Sequence, residues 1–453
     1  MRLRWTDALL ALATGALLLP GAASAEEDLR REMDEMRNMI LQLQDTVQAQ
    51  AGQISDQRQV IDRAGIEDVR LGDSSSKISN FFEKIEMSGW VSVSYFHNLN
   101  DLDTRDLVGG NSGNGCCLPF KPDDNTFAFD QLWFEIGKPA TPEDRAGFFA
   151  EIAFGRTAGL LPAGNASLGG NSLYLNSAYV EYMADLGGKD VTFKMGKFGT
   201  VIGAEVAQAP YNWNITRGNV YNLLQPIDHV GFLASTELGG GFDLTVGVIN
   251  DFVFAAPQPS TTDGVGFLGQ LAYSGAESWS ASFNVLHAND TAGRDQPTTT
   301  ILDLVVSWDI TEKLAFLMNA DLLLRDDDAF SNDPNAWGIS LATRYAWTER
   351  LGTALRYEFV DDDGQVYGCS GAQPASNLET ECQIHSLTLT SDFALTDALT
   401  IKGEVRYDVA DIHDNSDDVF FDNDTGARRA AGLAAPTRGD DQVVVGVEAI
   451  YAF

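Results

Sequence analysis

The chain closes on VVVGVEAIYAF, residues 443–453, in which every second position is apolar: Val443, Val445, Val447, Ala449, Tyr451 and Phe453. Side chains that repeat with period two lie on one face of a strand. This strand ends on an aromatic residue, on its apolar face, with no polar tail behind it. The fold follows from what that face meets.

The same period runs through the chain from Phe81 onwards. In 85–95, Ile85, Met87, Gly89, Val91, Val93 and Tyr95 share one side, while Glu86, Ser88, Trp90, Ser92 and Ser94 share the other. In 399–409, Leu399, Ile401, Gly403, Val405, Tyr407 and Val409 oppose Thr400, Lys402, Glu404, Arg406 and Asp408. Two-sided segments recur at 127–138, 146–156, 173–184, 190–199, 228–238, 241–251, 264–274 and 277–287. They continue at 299–310, 313–324, 335–347, 350–360, 382–394 and 441–453, about sixteen in all. Each is close to the ~9–11 residues that a tilted strand needs to cross a bilayer.

The links between them sort by parity. After even strands they are tight: PATPED, DLGGK, LGGG, SGAE, DITE, WTE and LTDA. After odd strands they are mostly longer and polar, as in RDDDAFSNDP. Short turns on one rim, long loops on the other and both chain ends on the short-turn rim are the plan of an outer-membrane barrel. A soluble sandwich has no reason to segregate loop length in this way. The expected fold is therefore all-β: a transmembrane antiparallel β-barrel of about sixteen strands over 81–453, preceded by a short helix. The lipid-facing last strand then accounts for its row of apolar side chains.

The N-terminus has a different character. MRLRW, the apolar run ALLALATGALLLP and Ala23-Ser24-Ala25 form a signal peptide over 1–25. Its apolar run is short of the ~20 residues of a membrane-anchor helix. Residues 26–63 carry a heptad seam, with Leu29, Met33, Met36, Ile40, Leu43, Val47, Gln50, Ile54, Gln57 and Ile61 spaced by fours and threes, the two glutamines weakening it towards its end. That spacing predicts a coiled-coil helix, either self-associating as a trimer or packing on the rest of the chain. Residues 64–80 read as a linker. The alternating barrel places the coiled coil in the periplasm.

The formal charge of -35, from 30 Lys+Arg against 65 Asp+Glu, excludes a nucleic-acid partner and suits one that meets cations. Pairs and triplets of aspartate, including Asp326-Asp327-Asp328 and Asp361-Asp362-Asp363, are expected in the external loops as a solvated or salt-adapted surface, the alternative being divalent cations that link them to lipopolysaccharide. The four cysteines are Cys116, Cys117, Cys369 and Cys382. In an exported chain Cys369 and Cys382 are expected to pair and pin one loop. A metal site is the alternative, but only His385 lies near either pair, so no metal and no cofactor are expected. The five histidines, His97, His229, His287, His385 and His413, stand in no nucleophile motif, and no enzyme is expected.

A barrel of this size encloses water. Parity assigns Glu86, Glu135, Glu151 and Glu181 to its inner wall, and a charged cluster of Arg344, Arg356, Glu358, Lys402, Glu404, Arg406 and Asp408. The first six of that cluster are the expected pore-lining residues. The alternative is that such charges pair with one another and fill the wall.

GKFGTVIGAE (196–205), a loop rich in Tyr, Asn and Trp, and QPIDHVGFLAS (225–235) together resemble the OmpL-like, second β-barrel porin family. The likeness is most specific over 197–235 and covers most of the chain after the coiled coil as a pattern. It implies an outer-membrane channel passing small hydrophilic solutes or ions. Tyr451 and Phe453 resemble the C-terminal signal that the barrel-assembly machinery reads. By analogy with general porins, the third external loop, 200–227, folds inward and narrows the channel. Its expected constriction residues are Glu205, Tyr211, Asn212, Trp213, Asn214 and Arg217. The homotrimer expected in the outer membrane comes from the heptad seam of 26–63, not from this resemblance. The rival reading is a structural anchor whose periplasmic coiled coil tethers the cell wall; about 40 helical residues would reach ~60 Å.

Overall fold

The computed structural model describes residues 84–99, 125–161, 173–250, 265–289, 298–326, 335–363, 381–413 and 441–453, all within the compact unit Lys84–Phe453. The expected signal peptide, coiled coil and linker lie outside these residues. So do Cys116, Cys117 and Cys369, and with Cys369 the expected pairing to Cys382.

The alternating segments form strands in chain order: β1 Glu86–Asn98, β2 Thr126–Lys138, β3 Ala146–Phe154, β4 Leu173–Asp185, β5 Asp190–Gly199, β6 Asp228–Gly239, β7 Phe242–Ile249 and β8 Gly266–Tyr273. They continue as β9 Trp279–Asn289, β10 Thr298–Asp309, β11 Leu314–Asp326, β12 Asn335–Ala346, β13 Leu351–Asp363, β14 Glu381–Ala394, β15 Leu399–His413 and β16 Asp441–Ala452. Each pairs with its chain neighbours, and β1 closes on β16 to complete the barrel. The closing pair is antiparallel, with Val93 opposite Ala449.

The faces follow the alternation. On β15, Val405 and Tyr407 are exposed on the outside, while Lys402, Glu404, Arg406 and Asp408 are buried within. An apolar exterior with exposed aromatic side chains is what lipid contact requires. Rings cluster along the short-turn rim, where Tyr273 lies 4.8 Å from both Phe242 and Trp279, and Tyr345 lies 4.7 Å from Trp347. The turns there reuse one device. Thr311, Thr348 and Thr396 each accept two backbone N–H bonds through the hydroxyl, at 3.0 to 3.2 Å for Thr311, which tightens the link to the next strand.

Phe453 seals the barrel seam. Its N–H donates to the Gly89 carbonyl at 2.9 Å, and the Gly89 N–H donates to its carbonyl at 3.0 Å. Its ring lies edge-on to Phe134 at 5.8 Å, directly over Gly89, where a Cβ would come within 2.8 Å of it.

Two expected boundaries are corrected. The segment expected at 350–360 runs on as β13 to Asp363, so Asp361, Asp362 and Asp363 are strand residues rather than loop residues, and Asp362 is buried. The third segment was expected to run to Arg156, but β3 stops at Phe154. Gly155 turns the chain at φ 102°, with no room for a side chain against the Asp130 carbonyl, and a short helix α1, Arg156–Leu160, follows. Ala158 and Leu161 bury themselves beside Trp133 and Tyr174, so the chain bends inward at this point.

Candidate channel and its inner segment

The stems of the segment 200–227 are tied together before it leaves the wall. Thr200 N–H donates to the Ile227 carbonyl at 3.0 Å. Asp228 is paired with Lys197 at 3.3 Å and accepts the Tyr174 hydroxyl, and the Lys197 ammonium lies 4.1 Å above the Tyr174 ring. These anchors sit in the stretch where the sequence was most distinctive.

From there the segment bonds to inward residues of strands far around the barrel. Gly203 N–H donates to Asp303 of β10 at 3.0 Å, and Ala204 N–H to Asn319 of β11 at 3.1 Å. Gln225 donates to Asp321 of β11 at 2.6 Å. Glu205 meets Arg356 of β13 at 2.5 Å and accepts the Gly218 N–H at 2.6 Å. Glu404 of β15 accepts the N–H groups of Ile215 and Thr216 at 2.6 and 3.0 Å, and the Thr216 hydroxyl at 2.6 Å. Lys402 donates to the Asn212 carbonyl at 2.7 Å, and Arg406 to the Arg217 carbonyl at 2.8 Å. Asn214 reaches Thr390 of β14 at 2.7 Å. On the other side, Gln131 of β2 brackets a 3₁₀ turn, Ala209–Tyr211, accepting the Ala209 N–H and donating to the Ala207 carbonyl. Partners on β2, β10, β11, β13, β14 and β15 mean that the segment spans the interior.

Its conformation is locked internally as well. Arg217 donates to the carbonyls of Val206, Ile215 and Ala207, so one planar guanidinium clips the backbone at 206–207 to that at 215. A helix α2, Asn219–Leu224, buries Val220 and Leu224 against inward apolar residues of the wall, among them Leu286, Ile301, Leu323 and Val360. Burial raises the pKa of Tyr211, with Glu135 adding to the effect, so its hydroxyl stays protonated and donates towards that carboxylate at 3.4 Å.

The expected wall residues all face inward, but they divide into two groups. Arg356, Glu358, Lys402, Glu404 and Arg406 are 0 to 5 % exposed, covered by the segment they bind. Arg344 keeps 31 % of its side chain exposed while paired with Asp392 at 2.8 Å. Among the expected loop residues, Asn212, Asn214 and Arg217 are buried, Glu205 and Trp213 are half-buried, and Tyr211 is 61 % exposed. Sequence reasoning missed Asp303, Asn319, Asp321 and Gln131 as anchors. Their signal was available: each is a polar residue on the inward face of a lipid-facing strand. It also missed that many inward positions are apolar. A small cavity of about 50 Å³ remains between the segment and β11–β13, lined by residues that include Glu205, Tyr211, Trp213, Asn319, Ser340 and Arg356.

A closed sixteen-strand barrel with a lipid-compatible outside, a charged inside and loop lengths split between its rims is an outer-membrane channel of the porin class. The family model described as Putative beta-barrel porin-2, OmpL-like, matches residues 84–453, and the chain belongs to that family. Solved barrels share the fold at low identity. An anion-selective porin from Comamonas acidovorans is 14 % identical, with 82 % of this chain and 99 % of that chain covered and a TM-score of 0.53. The outer-membrane channel DcaP of Acinetobacter baumannii is 13 % identical, over 82 % and 97 %, at 0.51. A trimer form of in-vitro folded OmpT from Vibrio cholerae is 12 % identical, over 82 % and 99 %, at 0.50. No curated protein matches the chain in sequence.

Proposed function

We propose that the chain is a passive diffusion channel for small hydrophilic solutes or ions, with passage limited by the segment 200–227. The observation that carries this reading is the set of bonds from that segment to Asp303, Asn319, Arg356, Glu404 and Gln131, which tie one loop to opposite parts of the wall. In this reading Glu205, Tyr211 and Trp213 border the remaining passage, and Asn212, Asn214 and Arg217 hold their backbone. Arg356, Glu358, Lys402, Glu404 and Arg406 act as anchors, and Arg344 faces the solute.

The reading extends to ion preference. The basic side chains Arg217, Arg356, Lys402 and Arg406 are buried in ion pairs and carbonyl contacts, whereas inward Glu86, Glu135, Glu181 and Glu205 keep contact with water. Wet carboxylates over dry cations favour cation passage. In a planar bilayer under a salt gradient, the reversal potential should show cation preference; anion preference would contradict this assignment. The proposed assembly is a homotrimer in contact with lipid and lipopolysaccharide, inserted by the barrel-assembly machinery through Tyr451 and Phe453. Cross-linking in native membranes tests the trimer.

A further inference from the structure

We propose that Asp303 and Asp321 share one proton and form a pH-sensitive latch on the inner segment, holding it while the proton is present and releasing it as pH rises; this rests on the channel reading. The two residues stand directly opposite each other on β10 and β11. They are 1 and 4 % exposed. The Asn319 amide donates to both carboxyls, at 2.5 Å to Asp303 and 2.9 Å to Asp321, and the two carboxyls are hydrogen-bonded to each other. Two ionised carboxylates have no hydrogen to place between them. Away from water their repulsion is also poorly screened, so the contact requires one proton that belongs to the pair.

The groups packed around the pair are neutral. From β9, Asn284 donates to Asp303 and is itself bonded by Gln270 of β8 at 2.8 Å. From β12, Gly338 lies opposite Asp321, beneath Val220 and Leu224 of α2. The segment supplies Gly203, Ala204 and Gln225, and the residue after Ala204, Glu205, is engaged by Arg356 at 2.5 Å. Among the described residues, the bonds to either carboxyl come from amides and from each other, with no basic partner. Both ends of the segment close on this pair: the Gly203 N–H reaches Asp303 at 3.0 Å, and the Gln225 amide reaches Asp321 at 2.6 Å. Loss of the proton leaves two like charges in a dry site. Water relieves them where the segment withdraws, because the β10–β11 ladder holds the wall in place. The held state binds one more proton than the released state, so raising pH favours release, by up to about ten-fold per pH unit.

The test uses the full-length protein, in detergent and in planar bilayers, from about pH 5 to about pH 9. Hydrogen exchange over 203–206 and 223–226, corrected for the intrinsic rate, should show protection falling as pH rises, and unitary conductance should rise over the same interval. Infrared difference spectra should show the band of a protonated carboxyl disappearing in step. Asp321→Asn puts an N–H donor where the proton was, and Gln225, whose Oε1 has no partner, can turn its amide to meet it. This variant should lose the infrared band and keep protection at the parent's acid level at every pH. Asp144→Asn, in the 139–145 turn, should respond to pH as the parent does, with heat-resistant barrel mobility on gels checked for both. Protection independent of pH in the parent, absence of its protonated-carboxyl band, or an undiminished response in Asp321→Asn overturns the latch even if the channel conducts. A response of protection that Asp321→Asn abolishes, with conductance unmoved in the parent, upholds the latch and refutes the channel reading.

Discussion

Glu404→Ala removes the carboxylate that holds the middle of the inner segment. That side chain accepts four hydrogen bonds, from Ile215 N–H, Thr216 N–H, the Thr216 hydroxyl and the Thr390 hydroxyl, at 2.6 to 3.0 Å. Ile215 and Thr216 are 0 and 1 % exposed, so their N–H groups lose their acceptor without gaining water. A buried donor left unsatisfied costs about 1–3 kcal/mol, hence about 2–6 kcal/mol for the two. Because the barrel ladder is untouched, the cost falls on the segment alone, shifting its local opening by about 30-fold to 10⁴-fold. Glu404→Gln retains one acceptor oxygen and should give roughly half the effect. The assay combines unitary conductance with hydrogen exchange over 203–225. Glu404→Ala should raise conductance and current noise and speed exchange in that stretch, with barrel exchange unchanged. Its loss also leaves Lys402 less balanced, so the reversal potential should move towards anions. If exchange over 203–225 and conductance both match the parent, the segment is not held by this carboxylate and the reasoning fails.

Other outcomes follow from the same geometry. Gly89→Val would place carbon within 2.4 Å of the Trp133 carbonyl and against the Phe453 ring, so the temperature at which the folded band unfolds on gels should fall, as it should on deletion of Phe453, which removes two seam hydrogen bonds. Deleting residues 26–64 should leave unitary conductance unchanged if the barrel is the functional part; a cell-envelope defect with normal conductance would favour the tether. Asp144, in the 139–145 turn, is held below its ordinary carboxylate pKa of 3.8 by hydrogen bonds from Lys84 and then Lys138. A depressed carboxyl stabilises fully above its unfolded value and loses that contribution as pH falls through its folded one. Exchange of the 139–145 amides should therefore be insensitive to this group between pH 5 and 8 and rise only below 3.8, and Lys84→Met should bring the Asp144 titration closer to 3.8.

Period-two alternation and the parity of loop lengths were enough to reach a closed barrel, strand by strand, because the face a side chain occupies is a local property of the extended backbone. The outward row of Val405 and Tyr407, the inward row from Lys402 to Asp408 and the aromatic end at Phe453 could all be read in this way. The turn at Gly155 could not, since nothing in the alternation marks where a strand gives way to an inward-bending helix. Parity also cannot tell a wet inward side chain from a dry one. Arg356 and Arg344 read alike in sequence, yet one is sealed under Glu205 and Thr216 while the other stays partly in water. The difference comes from contacts between residues far apart in the chain, such as Ile215 with Glu404, which are 189 positions apart. Inward apolar positions such as Leu286 and Ile301 are likewise explained only by Val220 and Leu224 arriving from the third loop. The sequence alone thus determined the cylinder and its two faces. Which of the inner charges remain available to a solute was decided only when closure brought segment 200–227 and the distant wall together.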